Sequence, residues 1–231
     1  MGVMKNDFIV TRGLIVSCQA LAGEPLYGCG IMPRMALAAK SGGAVGLRVN
    51  GVEDIRDIKK VCNLPVIGII KASYQGFDVY ITPSMKEVEA LVKVKADIIA
   101  VDATMRPRPG FDNPEQFISE IKKRFKVVIM ADVSTYEEGI NAYNAGADVV
   151  STTLSSYTPY TSERDKPDLD LIRRLVDKID IPVIAEGNIQ TPEQALECLE
   201  AGAHAVVVGG AITRPQLITQ RFVDIINKVL V

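Results

Sequence analysis

The feature that most constrains this chain is a repeat. Along 231 residues, eight short β-branched runs alternate with longer amphipathic stretches. The runs cover 14–20, 44–50, 65–72, 96–103, 127–133, 147–154, 182–188 and 204–210. Helical periodicity fills the intervals, among others at 52–61, 86–94, 114–124, 168–178 and 192–200. Apolar runs of this kind, spaced by amphipathic helices, read as parallel strands covered by helices. Asn113-Pro114-Glu115-Gln116 and Thr191-Pro192-Glu193-Gln194 each set a capping side chain before proline and an acid, a helix start. Asn144-Ala145-Gly146-Ala147 and Glu200-Ala201-Gly202-Ala203 are near copies in which glycine ends a helix before a strand. Eight βα units in a chain of this length predict an α/β fold, a (β/α)8 TIM barrel filling 1–231 as one domain. An open doubly wound sheet is the competing arrangement.

Composition removes several classes of function. Hydrophobic residues at 48% and charged residues at 23% suit a folded globular chain rather than a disordered one. A formal net charge of -2 leaves no electrostatic footprint for nucleic acid or an anionic membrane. The single His204 rules out catalytic metal sites that need two or three histidines, and no metal or cofactor is expected. Cys18, Cys29, Cys62 and Cys198 have no CxxC spacing and read as reduced, buried thiols of a cytoplasmic protein. Lys5 and Arg12 ahead of the run Leu14 to Cys18 imitate a secretion signal, but Gln19 interrupts it. Asn6 breaks the Gly2 myristoylation pattern. Treating 1–22 as a signal would also leave seven strands, too few to close the barrel. No apolar run approaches the ~20 residues of a membrane-spanning helix.

The runs share a polarity gradient. They start apolar and end at Gln19, Arg48, Lys71, Asp102, Asp132, Thr153, Glu186 and Gly209-Gly210. Charge on a strand buried on both faces is costly unless the strand ends at a wet rim. In a barrel these ends converge on one mouth, where such enzymes build their sites.

Two of the loops there suit an anion. Glu186-Gly187-Asn188 leads into a capped helix, and Gly209-Gly210 is followed by Arg214. Glycines admit backbone N–H groups to a ligand, and a guanidinium adds a charge-assisted bond to phosphate. Lys71 closes the run Val66 to Ile70, and Glu186 closes Val183 to Ala185. Strands three and seven of an eight-stranded barrel stand opposite one another, so Lys71 and Glu186 can face one ligand from two sides. Arg48 and Asp132 read either as supporting groups or as a structural ion pair. His204 opens its strand at the far end and reads as structural. Tyr157 and Tyr160 lie after strand six, as a lid or as loop packing.

Leu14-Ile15-Val16-Ser17-Cys18-Gln19-Ala20, Gly68-Ile69-Ile70-Lys71, Tyr80-Ile81-Thr82-Pro83, Met130-Ala131-Asp132, Ser151-Thr152-Thr153-Leu154-Ser155 and Val208-Gly209-Gly210-Ala211-Ile212-Thr213-Arg214-Pro215 together resemble the bacterial N-acetylmannosamine-6-phosphate 2-epimerases. The likeness runs from about residue 12 to the C-terminus. It implies a cytoplasmic, metal-independent isomerase of sialic acid catabolism that acts on a phosphorylated amino sugar without a cofactor. It implies Lys71 and Glu186 as catalytic groups, Arg48 and Asp132 as their supporting pair, and Gln19 as a sugar contact. Gly209, Gly210 and Arg214 match the phosphate cradle, with Thr153, Gly187 and Asn188 at the substrate. Asn188 departs from the pattern, since a basic residue often follows Glu-Gly in the family. A homodimer is compatible with this reading. The rivals are a Schiff-base aldolase through Lys71, a metal-dependent pentose-phosphate epimerase lacking its histidines here, and a non-catalytic RNA-binding barrel.

Overall fold

A computed structural model describes residues 9–28 and 30–229; Gly2, Lys5, Asn6 and Cys29 therefore lie outside the described residues. All eight runs become strands: β1 (Gly13–Cys18), β2 (Gly46–Asn50), β3 (Val66–Ile69), β4 (Ile98–Asp102), β5 (Val128–Asp132), β6 (Val149–Ser151), β7 (Val183–Glu186) and β8 (Ala205–Val208). They form a closed barrel in sequence order, every pairing parallel, with Ile15 of β1 opposite Val207 of β8 at the seam. Around it run α1 (Ile31–Ser41), α2 (Val52–Val61), α3 (Met85–Lys93), α4 (Pro114–Arg124), α5 (Tyr136–Asn144), α6 (Leu169–Lys178) and α7 (Pro192–Glu200). The short α8 (Gly210–Thr213) and the longer α9 (Pro215–Asn227) follow. This is a (β/α)8 barrel, not an open sheet.

Capping chemistry sets the helix limits. The side chains of Asn113 and Thr191 accept from the N–H groups of Gln116 and Gln194, so α4 and α7 begin at their prolines. α3 starts at Met85 rather than 86, because Ser84 and Glu87 cap each other's backbone. Asp168 lies outside α6 as its N-cap, accepting from Leu171 N–H. At Gly146 and Gly202, with φ near +95° and +101°, the chain makes Schellman closures such as Ala147 N–H to Ala142 O at 3.0 Å. α1 follows Gly30 with no side-chain cap, which is why no start signal marks it in the sequence.

The strands are shorter than their apolar runs. Gln19, Lys71, Thr153 and Gly209 stand one or two positions beyond the last strand residue. There the loops take over the backbone groups: Lys71 N–H donates to Asn50 Oδ1 at 2.8 Å and Ala72 N–H to Tyr80 O at 3.0 Å.

Strand alternation then decides which side chains enter the barrel. The interior cluster holds Ile15, Ile67, Ile69, Ile98, Ala100, Met130, Val149, Ile184, Ala205 and Val207, all buried. Their neighbours Val16, Leu47, Val66, Ile99, Ala131, Val150 and Val183 face the helices. Two residues beyond the inner row, in the same parity, come Ser17, Lys71, Asp102, Asp132, Glu186 and Gly209, and four beyond it Gln19 and Thr153. The apolar plug and the polar mouth are one alternating pattern. At the opposite end His204 Nε2 lies 2.8 Å from Val10 O and its N–H donates to Val183 O, the structural place expected of it.

Candidate active site

A cavity of about 630 Å³ opens at the C-terminal mouth. Gln19, Arg48, Lys71, Thr153, Glu186, Gly187, Asn188, Gly209, Gly210 and Arg214 all line it, as the sequence predicts. Asp132 does not reach its wall; it is fully buried behind Arg48. Asp102 is also absent from the wall, because Arg106 takes its carboxylate at 2.7 Å and Thr104 Oγ1 at 2.6 Å.

Arg48 organises the floor. Its two terminal nitrogens meet both oxygens of Asp132, at 3.0 and 2.6 Å, a bidentate pair. Nη1 also lies 2.9 Å from Glu186 Oε2. Thr153 Oγ1 bridges the two acids, 2.7 Å from Asp132 Oδ1 and 3.0 Å from Glu186 Oε2. The Arg48–Asp132 pair is therefore both a buried structural ion pair and the support of Glu186. Burial works against the Arg48 charge, but Asp132 and Glu186 hold its pKa above the ordinary arginine value.

Lys71 and Glu186 are tuned in opposite senses. Burial, aided by Arg48 and Arg214, lowers the Lys71 ammonium to about 8. No carboxylate lies within ion-pair distance of Lys71 among the described residues. Burial raises the Glu186 carboxyl, with Arg48 opposing and Asp132 reinforcing. Lys71 follows β3 and Glu186 ends β7, four strands apart around the ring, so they face the cavity from opposite sides. A depressed amine and a raised carboxyl are shifted in the senses that proton transfer in both directions needs.

The rest of the wall suits a polar, anionic ligand. Gln19 Nε2 donates to Ser17 Oγ at 2.8 Å while its Oε1 is buried with no protein partner. A Cβ at Gly209 would come within 3.3 Å of Ser17 Cβ, and Gly187 sits at φ +110° with Thr152 O 3.6 Å from any added Cβ. Both glycines keep backbone close to the cavity. Arg214 Nε lies 3.1 Å from Glu24 Oε1, an acid to which no role attached in the sequence. No group of three or more His, Cys, Asp or Glu side chains able to hold a metal occurs among the described residues.

Ser17, Tyr80 and Leu217 also line the cavity without having been singled out for it, and so does Tyr157, for which the sequence leaves a lid or loop packing open. Ser17 was legible: it has the inward parity of Gln19. The two tyrosines of the β6–α6 loop divide the roles left open for them. Tyr157 lines the cavity and its hydroxyl donates to Asn188 Oδ1 at 2.9 Å, whereas Tyr160 donates to buried Glu138 Oε1 at 2.6 Å and anchors the loop. Cys18, Cys62 and Cys198 are free, buried and away from the cavity wall. Burial raises the thiols of Cys18 and Cys198 to about 12 and 11, as inert packing groups.

A (β/α)8 barrel whose mouth carries an opposed amine and carboxyl on a buried ion pair is built as an enzyme of the proton-transfer kind. Residues 32–228 match the family described as "Putative N-acetylmannosamine-6-phosphate epimerase", and the chain belongs to that family. A relative from Caldanaerobacter subterraneus subsp. tengcongensis, named "Putative N-acetylmannosamine-6-phosphate 2-epimerase", is 54% identical over 228 residues, 97% of this chain and 96% of that protein. One of the same name from Clostridioides difficile is 55% identical over 214 residues, 93% of this chain and 96% of its own length. The solved N-acetylmannosamine-6-phosphate 2-epimerase of Clostridium perfringens is 52% identical and superposes with a TM-score of 0.89, covering 94% of each chain.

Proposed function

We propose that this chain interconverts N-acetylmannosamine 6-phosphate and N-acetylglucosamine 6-phosphate by proton transfer at carbon 2. The observation that carries the reading is the opposed Lys71 and Glu186 pair in a chain of this family. The sugar opens to its aldehyde, which makes the carbon-2 proton acidic. One group of the pair removes that proton, giving an enolate whose charge rests on the carbon-1 oxygen. The other returns a proton to the opposite face, so the intermediate need not turn over. In the reverse direction the two exchange roles. A lysine at about 8 is neutral in about one molecule in ten at pH 7, so it can serve as base or acid.

Arg48 holds Glu186 in place, and Asp132 and Thr153 hold Arg48 and Glu186 in turn. Gln19 Oε1 accepts from a sugar hydroxyl. Gly209, Gly210 and Arg214 take the phosphate, with Gly187 and Asn188 closing the site nearby. Lys71→Met and Glu186→Gln, assayed for turnover, test this assignment: each should lose at least about 10²-fold. Near wild-type turnover in either refutes the opposed pair. We place the reaction in the cytoplasm and without a metal ion; among the described residues no helix is long and apolar enough to cross a membrane. The whole of 1–231 acts as one barrel domain in this reading.

The exposed face of α9 supports a homodimer. None of the residues of α9 is buried, and Phe222, Ile225 and Ile226 stand 68%, 62% and 52% exposed. Meanwhile an apolar groove of about 380 Å³ runs along the outside of β8 and β1, between Leu14, Val206 and Val208 and the α7 residues Ala195, Leu196 and Leu199. In a (β/α)8 barrel the helix after β8 covers that wall, and α8, at four residues, is too short. The α9 of a second copy fills the groove, and two-fold symmetry fills both. Light scattering should give a dimer, and Phe222→Glu a monomer. A wild-type monomer refutes the assembly.

A further inference from the structure

Glu24 has no part in the reaction described above, yet it holds the guanidinium assigned to the phosphate. Its own position is fixed locally. Glu24 N–H donates to Leu21 O at 2.9 Å, Leu21 N–H donates to Glu24 Oε2 at 2.7 Å, and Tyr27 N–H donates to Glu24 O at 3.0 Å. With Oε2 committed to that turn, Oε1 is directed at Arg214 Nε, 3.1 Å away. Among the described residues no other carboxylate lies within ion-pair reach of Arg214, and no other cation within reach of Glu24. The pair joins the β1–α1 segment to the α8–α9 junction, segments made neighbours by the β1–β8 pairing that closes the barrel.

An acid beside a phosphate-binding arginine has two possible effects of opposite sign. It can compete with the anion, or it can orient the guanidinium. Three observations favour orientation. Glu24 is not among the residues lining the cavity, whereas Arg214 is. One Glu24 oxygen is already tied to backbone. The contact uses Nε, so both terminal Nη groups of Arg214 remain for the ligand beside Gly209 and Gly210.

We infer that Glu24 is a positioning residue, holding the Nε edge of Arg214 so that its Nη groups face the phosphate. This rests on Arg214 being a phosphate ligand. An arginine held on one edge has given up much of its rotamer freedom before the anion arrives, which is worth about 3- to 30-fold in affinity.

The probe is inorganic phosphate as an inhibitor of the purified enzyme, compared across wild type, Glu24→Ala, Glu24→Gln, Arg214→Ala and the double variant Glu24→Ala/Arg214→Ala. Glu24→Ala should weaken phosphate inhibition about 3- to 30-fold and raise KM for the phosphorylated sugar more than it lowers kcat. Glu24→Gln, which keeps the side-chain length and an oxygen for Leu21 N–H but removes the charge that pairs with Arg214, should fall between wild type and Glu24→Ala. The double variant should bind inorganic phosphate no more weakly than Arg214→Ala alone, since Glu24 reaches the anion through Arg214, while its field on Lys71 bears on kcat. Tighter or unchanged phosphate inhibition in Glu24→Ala overturns the inference and makes Glu24 a competitor or a bystander. Additive losses in the double variant overturn it as well. If Arg214→Ala leaves phosphate inhibition unchanged, the phosphate reading of Arg214 fails and the inference falls with it, an outcome distinct from the other two. Should Glu24→Ala not fold, Glu24→Asp withdraws the carboxylate by one methylene and must show the same weakening.

Discussion

Replacing Lys71 by methionine should stabilise the protein while abolishing its activity. The ammonium is half-buried at the mouth, with Arg48 and Arg214 in its field, and its pKa falls from an ordinary 10.5 to about 8. A base whose folded pKa is depressed binds its proton less tightly in the native than in the unfolded chain. Stability therefore rises with pH between about 8 and 10.5, and below about 8 the whole cost of the buried charge is present. That cost is about 3 kcal/mol, by the equivalence of about 1.4 kcal/mol per tenfold change in proton affinity. Methionine keeps the unbranched stem and removes the charge. At pH 7 the variant should gain roughly 3 kcal/mol, which for a chain of this size is about 6–12 °C in Tm. The assay is thermal unfolding followed by circular dichroism at pH 7 and at pH 9.5. The gain should be full at the lower pH and fall to roughly 40% of that at the higher one. A Tm that falls, or a gain independent of pH, would show that the native state bears no cost for the Lys71 charge.

Arg48→Met should do the opposite, since it strands Asp132 and Glu186 in the barrel without their cation. Breaking a buried pair costs about 3–5 kcal/mol, so Tm should drop by roughly 6–20 °C; an unchanged Tm would mean that the carboxylates do not depend on it. Arg214→Ala should weaken the phosphorylated sugar about 10- to 150-fold and hardly affect the unphosphorylated one. Equal losses for both sugars would make Arg214 structural. Exhaustive chelation should leave turnover intact, and loss restored by a divalent ion would refute the metal-free chemistry.

Legibility in the sequence followed periodicity. Eight strands and the inward parity of Lys71, Asp132, Thr153 and Glu186 can be counted along the chain, because strand alternation is a rule of two. Helix limits were readable where a cap announces them, as at Asn113 and Thr191, and not at α1, which starts from Gly30 with no side-chain cap. Strand ends were overdrawn because apolar composition continues past the last ladder bond, as at Lys71, whose N–H turns to Asn50. The charged cavity-lining residues on or next to the strands can be read from the sequence, whereas Ser17 on β1 was passed over despite its inward parity. Tyr157 and Glu24 belong to loops, where contact depends on tertiary closure rather than spacing. The depth of Asp132 behind Arg48 was equally hidden: side-chain parity tells which way a residue points and not what lies in front of it.

The central claim is that two groups on opposed strands exchange a proton at carbon 2 of a phosphorylated amino sugar. Proton NMR of N-acetylmannosamine 6-phosphate with the enzyme in deuterated buffer tests it most directly. The account predicts appearance of N-acetylglucosamine 6-phosphate carrying deuterium at carbon 2, and loss of conversion with Lys71→Met and with Glu186→Gln. Conversion that retains the carbon-2 proton throughout, or full activity in either variant, would contradict it.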